Sequence, residues 1–374
     1  MKILHYCQYV LGIGHFLRSM EIAAAFSRHS VFFVEGGDPL PGFRAPAHVR
    51  RIALPPLRMD PEFRNLETAA GDIRQVQARR TGILVDLWKS VRPDVLLIEL
   101  FPFGRKRFQF ELIPLLEKNA ASTHRALVVC SLRDILVEKA DPEAYEEKVL
   151  SLVNRYFDLI LVHADPACVR LDETFRRIAD IRPPVHYTGY VTRSLPNPSP
   201  PKVRGRIVLS TGGGRVGIDF IEAVFHAFSR LGDPHMRLQV HEGPFMEPQD
   251  REALKESAAA DPRIVWRPFS HEFLKELAQA ELSLSMAGYN TCMDILASGV
   301  TALVYPFPQN REQALRADRL ESRGVLRVIR SLEPERLAAQ IQETLSSPRP
   351  SVQPLRTEGA LETVRAIENF ASRA

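Results

Sequence analysis

Three glycine-bearing turns carry most of the chemistry legible in this sequence. Near the amino terminus, Gly12-Ile13-Gly14-His15 follows an apolar run ending near Tyr9, and an apolar helical period follows with Arg18 in its first turns. Gly12 and Gly14 permit a tight turn and close approach of the backbone to a ligand, and the helix start offers N–H groups and a dipole that favour anions. Far downstream, Ser210-Thr211-Gly212-Gly213-Gly214 repeats the arrangement at the end of the run Ile207 to Ser210. Three consecutive glycines flanked by two hydroxyls suit a phosphate cradle. The dipole alone contributes about 0.3–2 kcal/mol, so several N–H contacts must share the load. A third turn follows a strand-like run in Ser285-Met286-Ala287-Gly288-Tyr289-Asn290-Thr291-Cys292-Met293-Asp294.

In that third turn, Asp294 falls three and four residues after Thr291 and Asn290, on the same helical face. Asn290, Thr291 and the backbone from Ala287 to Tyr289 would hold phosphates, while Asp294 accepts from sugar hydroxyls. The competing reading is ordinary capping by Asn290 with a solvated Asp294. Further on, Glu312 and Gln313 in the loop 306–313 suit hydroxyl recognition. His15, placed just past a ligand-sized turn, would act as a general base near neutral pH; the plainer alternative is a helix-capping histidine. Gly12, Gly14 and Glu35 also approach the dinucleotide-binding fingerprint, but Leu17 stands where its third glycine belongs. Arg105-Lys106-Arg107 and Arg133-Asp134 would line an acceptor cleft or form a solvated surface. His241-Glu242 lies at another strand end.

These turns need strands and helices to hold them. The runs Lys2 to Tyr9, Val31 to Val34, Asp94 to Glu99, Leu127 to Cys130 and Leu159 to Val162 are strand-length and apolar. The stretches Arg18 to Arg28, Glu67 to Val91, Phe108 to Asn119 and Pro142 to Arg155 have helical length between them. Doubly buried strands separated by helices imply a parallel sheet, hence an α/β domain. A proline-rich stretch from Arg182 to Gly205 breaks the rhythm, and the pattern then restarts with Ile207 to Ser210, Leu238 to His241, Ile264 to Trp266, Leu282 to Met286, Ala302 to Tyr305 and Leu326 to Ile329. The expectation is two Rossmann-like, doubly wound α/β domains, 1–190 and 205–353, joined by a linker at 191–204. A terminal helix at 354–374 would pack back on the first domain. Ligands of such folds bind outside the carboxyl ends of the strands.

Composition narrows the class. A chain of 374 residues suggests two domains, and 45% hydrophobic, 25% charged and 8% aromatic residues are ordinary for a globular protein. The net charge of +4 divides as +3 up to Tyr190 and +1 beyond, too diffuse for dedicated nucleic-acid binding. Cys7, Cys130, Cys168 and Cys292 are far apart, which disfavours disulfides and a zinc site and points to a reducing cytoplasm. No run reaches the length of a spanning helix, so any membrane contact would be peripheral. The amino terminus reads as a first strand rather than a leader.

The region from Trp266 to about Arg327 resembles the nucleotide-sugar-binding half of GT-B glycosyltransferases of the MurG-like type (glycosyltransferase family 28), and more loosely the plant glycosyltransferase signature. That resemblance gives Gly288, Asn290, Thr291, Asp294, Glu312 and Gln313 donor-binding roles. Ser210 to Gly214 becomes the diphosphate loop, and Phe269, after Trp266-Arg267-Pro268, marks where the backbone reads the base. Gly12, Gly14 and His15 match the amino-terminal glycine loop. It further implies a GT-B architecture with the two domains facing a central cleft, and an inverting reaction from a nucleotide-sugar, with UDP the expected nucleotide. His15 would be the base and Glu99 the acid that orients it. Met286 stands where the plant signature has a phosphate-contacting histidine, and Asp294 replaces the usual glutamate. Met286 also removes the first of the paired glutamates of retaining enzymes. No DxD or metal-ligand spacing is present, so neither metal nor other cofactor is expected. Lys202, Lys255 and Lys275 end no strand, which disfavours pyridoxal chemistry. A nucleotide-sugar hydrolase or epimerase on the same scaffold, an NAD-dependent oxidoreductase and a non-catalytic sensor are the alternatives. The acceptor and the sugar are not legible.

Overall fold

Runs of buried aliphatic residues alternating with amphipathic helices build two parallel sheets. The computed structural model describes residues 1–9, 14–38, 40, 42–59, 66–68, 71–348 and 351–373. Its first unit comprises Met1–Val191 with Leu355–Ala374, and its second comprises Thr192–Pro354.

In the first unit, β1 (Lys2–Cys7) is followed by α1 (Gly14–Ala25), β2 (Ser30–Glu35) and β3 (Val49–Ala53). A short antiparallel pair, β4 (Arg58–Met59) and β5 (Leu66–Glu67), precedes α2 (Ile73–Val91) and β6 (Val95–Glu99). The chain continues through α3 (Gln109–Ala120), β7 (Leu127–Arg133), α4 (Pro142–Tyr156), β8 (Leu159–His163) and β9 (Val185–Tyr187). The strand order is β3-β2-β1-β6-β7-β8-β9, parallel throughout. Every residue of β6 and β8 is buried, which explains their unbroken apolar spelling. The order reverses between β1 and β6, which places a topological switch point at their carboxyl ends.

The second unit repeats the plan with β10 (Arg206–Ser210), α5 (Ile218–Phe228), β11 (Arg237–His241), α6 (Pro248–Ala259), β12 (Ile264–Arg267) and α7 (Phe273–Gln279). Then come β13 (Leu282–Met286), α8 (Tyr289–Ser298), β14 (Thr301–Tyr305), α9 (Arg311–Ser322), β15 (Arg327–Val328) and α10 (Pro334–Ser346). Its sheet, again parallel, runs β12-β11-β10-β13-β14-β15, so the switch point lies between β10 and β13. Ile207, Leu209, Leu238, Val240, Leu282 and Leu284 pack with Phe220, Val224 and Phe228 of α5 and Ile341 of α10. By the pleat's alternation, Gln239, His241, Ser283 and Ser285 occupy the opposite face. The last helix, α11 (Gly359–Ala371), belongs to the first unit, where Glu368 Oε1 lies 2.8 Å from His29 Nε2.

Several boundaries differ from the sequence reading for identifiable reasons. α1 starts at Gly14 instead of Arg18, which puts His15 in its first turn. α2 starts after Asp72, whose carboxylate accepts from Gln75 N at 3.0 Å, while Glu67 lies in β5. β3 and β9 escape a search for apolar runs because VRRIA and VHY are edge strands with partly exposed side chains. Among the described residues no helix is long and apolar enough to cross a membrane.

Candidate active site

At the first unit's switch point, Glu99 ends β6 and is wholly buried. Its Oε1 lies 2.6 Å from His15 Nδ1 and accepts from the Arg18 guanidinium at 2.5 Å. His15 and Arg18 are three residues apart on α1, so both reach one carboxylate from one helical face. Arg105 brings Nε to 3.8 Å from Glu99 Oε2, beyond hydrogen-bond reach. The connection to Arg105 is tightly wound, with Leu100 at φ 65° and Arg105 at φ 58°, left-handed values that non-glycine residues seldom adopt.

The electrostatics fix the protonation states. Burial pushes the Glu99 carboxyl up, but His15, Arg18 and Arg105 outweigh it and hold it well below its ordinary range. Burial lowers His15, and Arg105 and Arg18 lower it further against the opposing pull of Glu99, so the ring is neutral near pH 7. An ionised carboxylate only accepts, so the proton of the neutral imidazole resides on Nδ1 and the lone pair on Nε2. The side chain keeps 22% of its surface exposed, enough for a substrate to reach. Gly14 opens α1 beside His15, whereas Gly12 lies outside the described residues.

In the second unit, two backbone loops meet at the other switch point. Thr211 to Gly217 leads from β10 into α5, with Gly212, Gly214 and Gly217 at φ 70°, 85° and 95°. Ser210 Oγ accepts from Gly212 N at 3.1 Å, closing the turn. Ala287-Gly288 leads from β13 into α8. Gly288 takes the cap position with no side-chain cap, so the capping role considered for Asn290 does not arise. A Cβ built on Gly212 and one built on Gly288 would each lie 3.8 Å from Thr291 Oγ1, so the two loops flank one hydroxyl. The first turn of α8, Tyr289 to Thr291, presents amides without intrahelical partners by helix geometry. The hydroxyls of Thr211 and Ser285 are buried and make no hydrogen bond among the described residues. Backbone donors, small residues and orphaned hydroxyls on one edge suit a diphosphate.

Asp294 follows on α8 and is buried rather than solvated. Its Oδ1 and Oδ2 accept from Arg193 Nε and a terminal nitrogen at 2.9 and 2.6 Å. Burial raises its carboxyl, and Arg193 works against that. A hydroxyl bound here must use the remaining lone pairs. Phe269, half-buried after β12, stacks edge-on to His271 with centroids 5.1 Å apart. Glu312 and Gln313 sit in the first turn of α9; Gln313 Oε1 accepts from Phe307 N at 3.0 Å, which fixes the loop before the helix. Ala287 donates its amide to Tyr305 O, so it supports the loop through the sheet.

Other candidates have structural partners. Glu35 receives both Nε and a terminal nitrogen of Arg51 at 3.0 Å. Asp134 accepts from Ile135 N, and Arg133 lies two residues past Ser131, the register partner of Glu99. His241 is buried under Phe273, 3.6 Å from Glu276, and Glu242 joins Trp266 and Arg251. Among the described residues no cluster of three His, Cys, Asp or Glu side chains could hold a metal. Arg18 and Arg193 are the two contributors that spacing did not single out, because each acts through a carboxylate distant in sequence.

The comparisons with known proteins agree with this architecture. Residues 207–368 match the glycosyltransferase family 28 C-terminal domain. Over 147 residues the chain is 29% identical to the UDP-N-acetylglucosamine--N-acetylmuramyl-(pentapeptide) pyrophosphoryl-undecaprenol N-acetylglucosamine transferase of Caldanaerobacter subterraneus subsp. tengcongensis, covering 38% of this chain and 40% of that one. The chain thus spans about two fifths of the curated relatives it matches. Among solved structures, UDP-GlcNAc 2-epimerase from Methanocaldococcus jannaschii aligns at TM-score 0.61 and 12% identity over 99% of this chain and all of that one. Acinetobacter baumannii MurG aligns at 0.54 and 14% over 100% and 96%. Both likenesses speak to fold. The chain thus has the two-sheet GT-B fold of these structures, and its residues 207–368 match a glycosyltransferase family 28 C-terminal domain.

Proposed function

We propose that the protein is an inverting glycosyltransferase that moves a sugar from a nucleoside-diphosphate donor, a UDP-sugar, to an acceptor hydroxyl. The observation that carries the reading is the neutral His15, oriented by a buried ionised Glu99, in a chain whose other unit matches family 28. His15 Nε2 takes the acceptor's proton as its oxygen attacks the anomeric carbon. The bond from that carbon to the diphosphate breaks, and its electron pair leaves with the diphosphate. Glu99 stabilises the imidazolium that results, as the carboxylate of a catalytic triad does. One displacement inverts the anomeric centre.

The leaving charge would be met by the amides of Gly212 to Gly214 and of the first turn of α8, with Thr211 and Thr291 adding hydroxyls. Asp294 would accept from the ribose, the backbone near Phe269 would read the base, and Glu312 and Gln313 would face sugar hydroxyls. That arrangement calls for no resident metal or cofactor. Arg105, Arg133 and Asp134 would border the acceptor. UDP is supported by the nucleotide in the curated relatives' names. The four buried free thiols suit a reducing cytoplasm, with any membrane contact peripheral.

Calorimetry with UDP, GDP, dTDP and NAD, followed by assay of UDP release from UDP-sugars, tests the proposal. UDP binds best, and its release from a donor requires an acceptor hydroxyl. Equal release in water alone would replace the transferase with a hydrolase. Binding of NAD in place of any nucleoside diphosphate would refute both.

A further inference from the structure

The basic run Arg105-Lys106-Arg107 is not uniform. Lys106 and Arg107 are exposed, whereas the Arg105 side chain keeps only 11% of its surface exposed. The backbone brings it back to the sheet. Phe101 N donates to Glu99 O at 2.9 Å and Gly104 N to Leu100 O at 2.8 Å, which winds the segment toward the end of β6. Leu100 and Arg105, at φ 65° and 58°, both lie in the left-handed region, and from there Arg105 opens the single helical turn Lys106–Phe108. Side chains held in that region strain the backbone, and such strain persists only where the surrounding structure fixes it.

What the wound loop achieves is a charge meeting. Nε and Nη2 of Arg105 are buried and make no hydrogen bond among the described residues, and the same holds for Glu99 Oε2. Nε lies 3.8 Å from that oxygen, so an unmet donor and an unmet acceptor of opposite charge stand about 1 Å short of a hydrogen bond. In a buried site their attraction is little screened. Glu99 Oε1 is already engaged by His15 and Arg18, both from α1, so Arg105 acts through the other oxygen and from a different element. The other titratable groups near this cluster are His5, Tyr6 and Cys7 of β1, Cys130 of β7 and His163 of β8, and burial keeps all of them neutral near pH 7. The acids of α11, which packs along α1, are engaged by His29, His186 and Arg365. Among the described residues, Arg18 and Arg105 are thus the cations that act on the His15–Glu99 pair. Burial lowers the His15 ring most, and of the two cations Arg105 works in that direction more than Arg18.

We propose that Arg105 is a positioning residue for the base: it holds the free oxygen of Glu99 from the loop and thereby sets how readily His15 accepts a proton. This rests on the reading of His15 as the base. The test is a pH titration of the His15 ring by nitrogen NMR in full-length protein labelled at histidine, for wild type, R105K and R105M, with H15Q assigning the signal. In R105M, which keeps much of the length and none of the charge, the ring's proton affinity rises about ten-fold or more. R105K keeps the charge and holds the ring within about two- to three-fold of wild type. A ring that titrates in R105M as it does in wild type would overturn the proposal, as would a rise in R105K equal to that in R105M. A purely structural Arg105 would lower the melting temperature and leave the titration in place. Should R105M not fold, R105Q is held to the same two outcomes. Undiminished UDP release by H15A would instead strike the reading of His15 as base, while the link from Arg105 stands or falls on the ring titration alone.

Discussion

His15 Nδ1 and Glu99 Oε1 lie 2.6 Å apart although 84 residues separate them in the chain. The contact exists because β1 and β6 are neighbours in the sheet and α1 starts directly above their carboxyl ends. The same oxygen also accepts from Arg18, so one buried carboxylate serves a neutral ring and a permanent cation at once.

Replacing His15 by Ala should reduce turnover roughly 10²–10⁴-fold, the range for a general base. Nucleotide affinity should be nearly unchanged, because the proposed diphosphate loops belong to the second unit. Glu99→Gln should also slow turnover with little effect on UDP binding, since an amide can donate to the ring and favour the wrong tautomer. Initial rates of UDP release alongside calorimetry check both; an undiminished rate in His15→Ala removes it from the base role.

Arg18→Met should shift the pH profile. Arg18 disfavours the protonated ring, so its removal raises the His15 pKa. The acidic limb of kcat/KM, where His15 takes up a proton and activity falls, should then move to higher pH. A stability loss of about 1–3 kcal/mol should accompany the change, because a buried carboxylate loses a hydrogen-bond partner. A limb that stays in place while only the melting temperature drops would make Arg18 purely structural.

The strand-turn-helix units were legible because doubly buried parallel strands are spelled as unbroken apolar runs, as in Leu159–His163, and because Gly12, Gly14 and Gly212 to Gly214 punctuate them. The edge strands β3 and β9 of the first sheet were not, since Arg50 and Arg51 interrupt the signal in β3, whereas β12 and β15 at the edges of the second sheet were. The His15–Glu99 contact was suggested by resemblance and is realised in the geometry. Arg193 was hidden for a different reason: a surface-type residue in a proline-rich stretch gives no local sign that it closes on Asp294, 101 residues away.

Gly243→Ala should damage the diphosphate loop from outside it. A Cβ there would fall 2.4 Å from Gly214 N and Cα, and Gly214 already sits at φ 85°. Backbone cannot yield as a flexible side chain does, so the cost is about 1–3 kcal/mol, and UDP affinity should fall about ten-fold or more. Gly232→Ala, where a Cβ meets nothing within 4 Å, serves as the control. Equal UDP affinity for the two variants would dissociate the loop from binding.

Acid should unfold the protein from the first unit. Burial pushes His5 down to about 3 and lowers His163 well below its usual range, whereas both titrate near 6.5 when unfolded. The unfolded chain then binds more protons in that interval, so stability is complete above pH 6.5 and declines as pH falls toward 3. Between pH 6.5 and 5 His5 alone accounts for about 2 kcal/mol. Among the described residues neither ring nitrogen of His5 has a hydrogen-bond partner, so His5→Leu should flatten the decline without lowering the melting temperature at pH 7. Melting curves across pH 4.5–8 decide; an unchanged slope in His5→Leu would contradict the assignment.

Main-chain amides of two loops in the second unit should bind a nucleoside diphosphate. A crystal structure of the protein with UDP tests it most directly. The diphosphate should lie within hydrogen-bond distance of the amides of Gly212 to Gly214 and of the first turn of α8, with Thr291 Oγ1 between them. UDP bound elsewhere, with those amides unengaged, would contradict it.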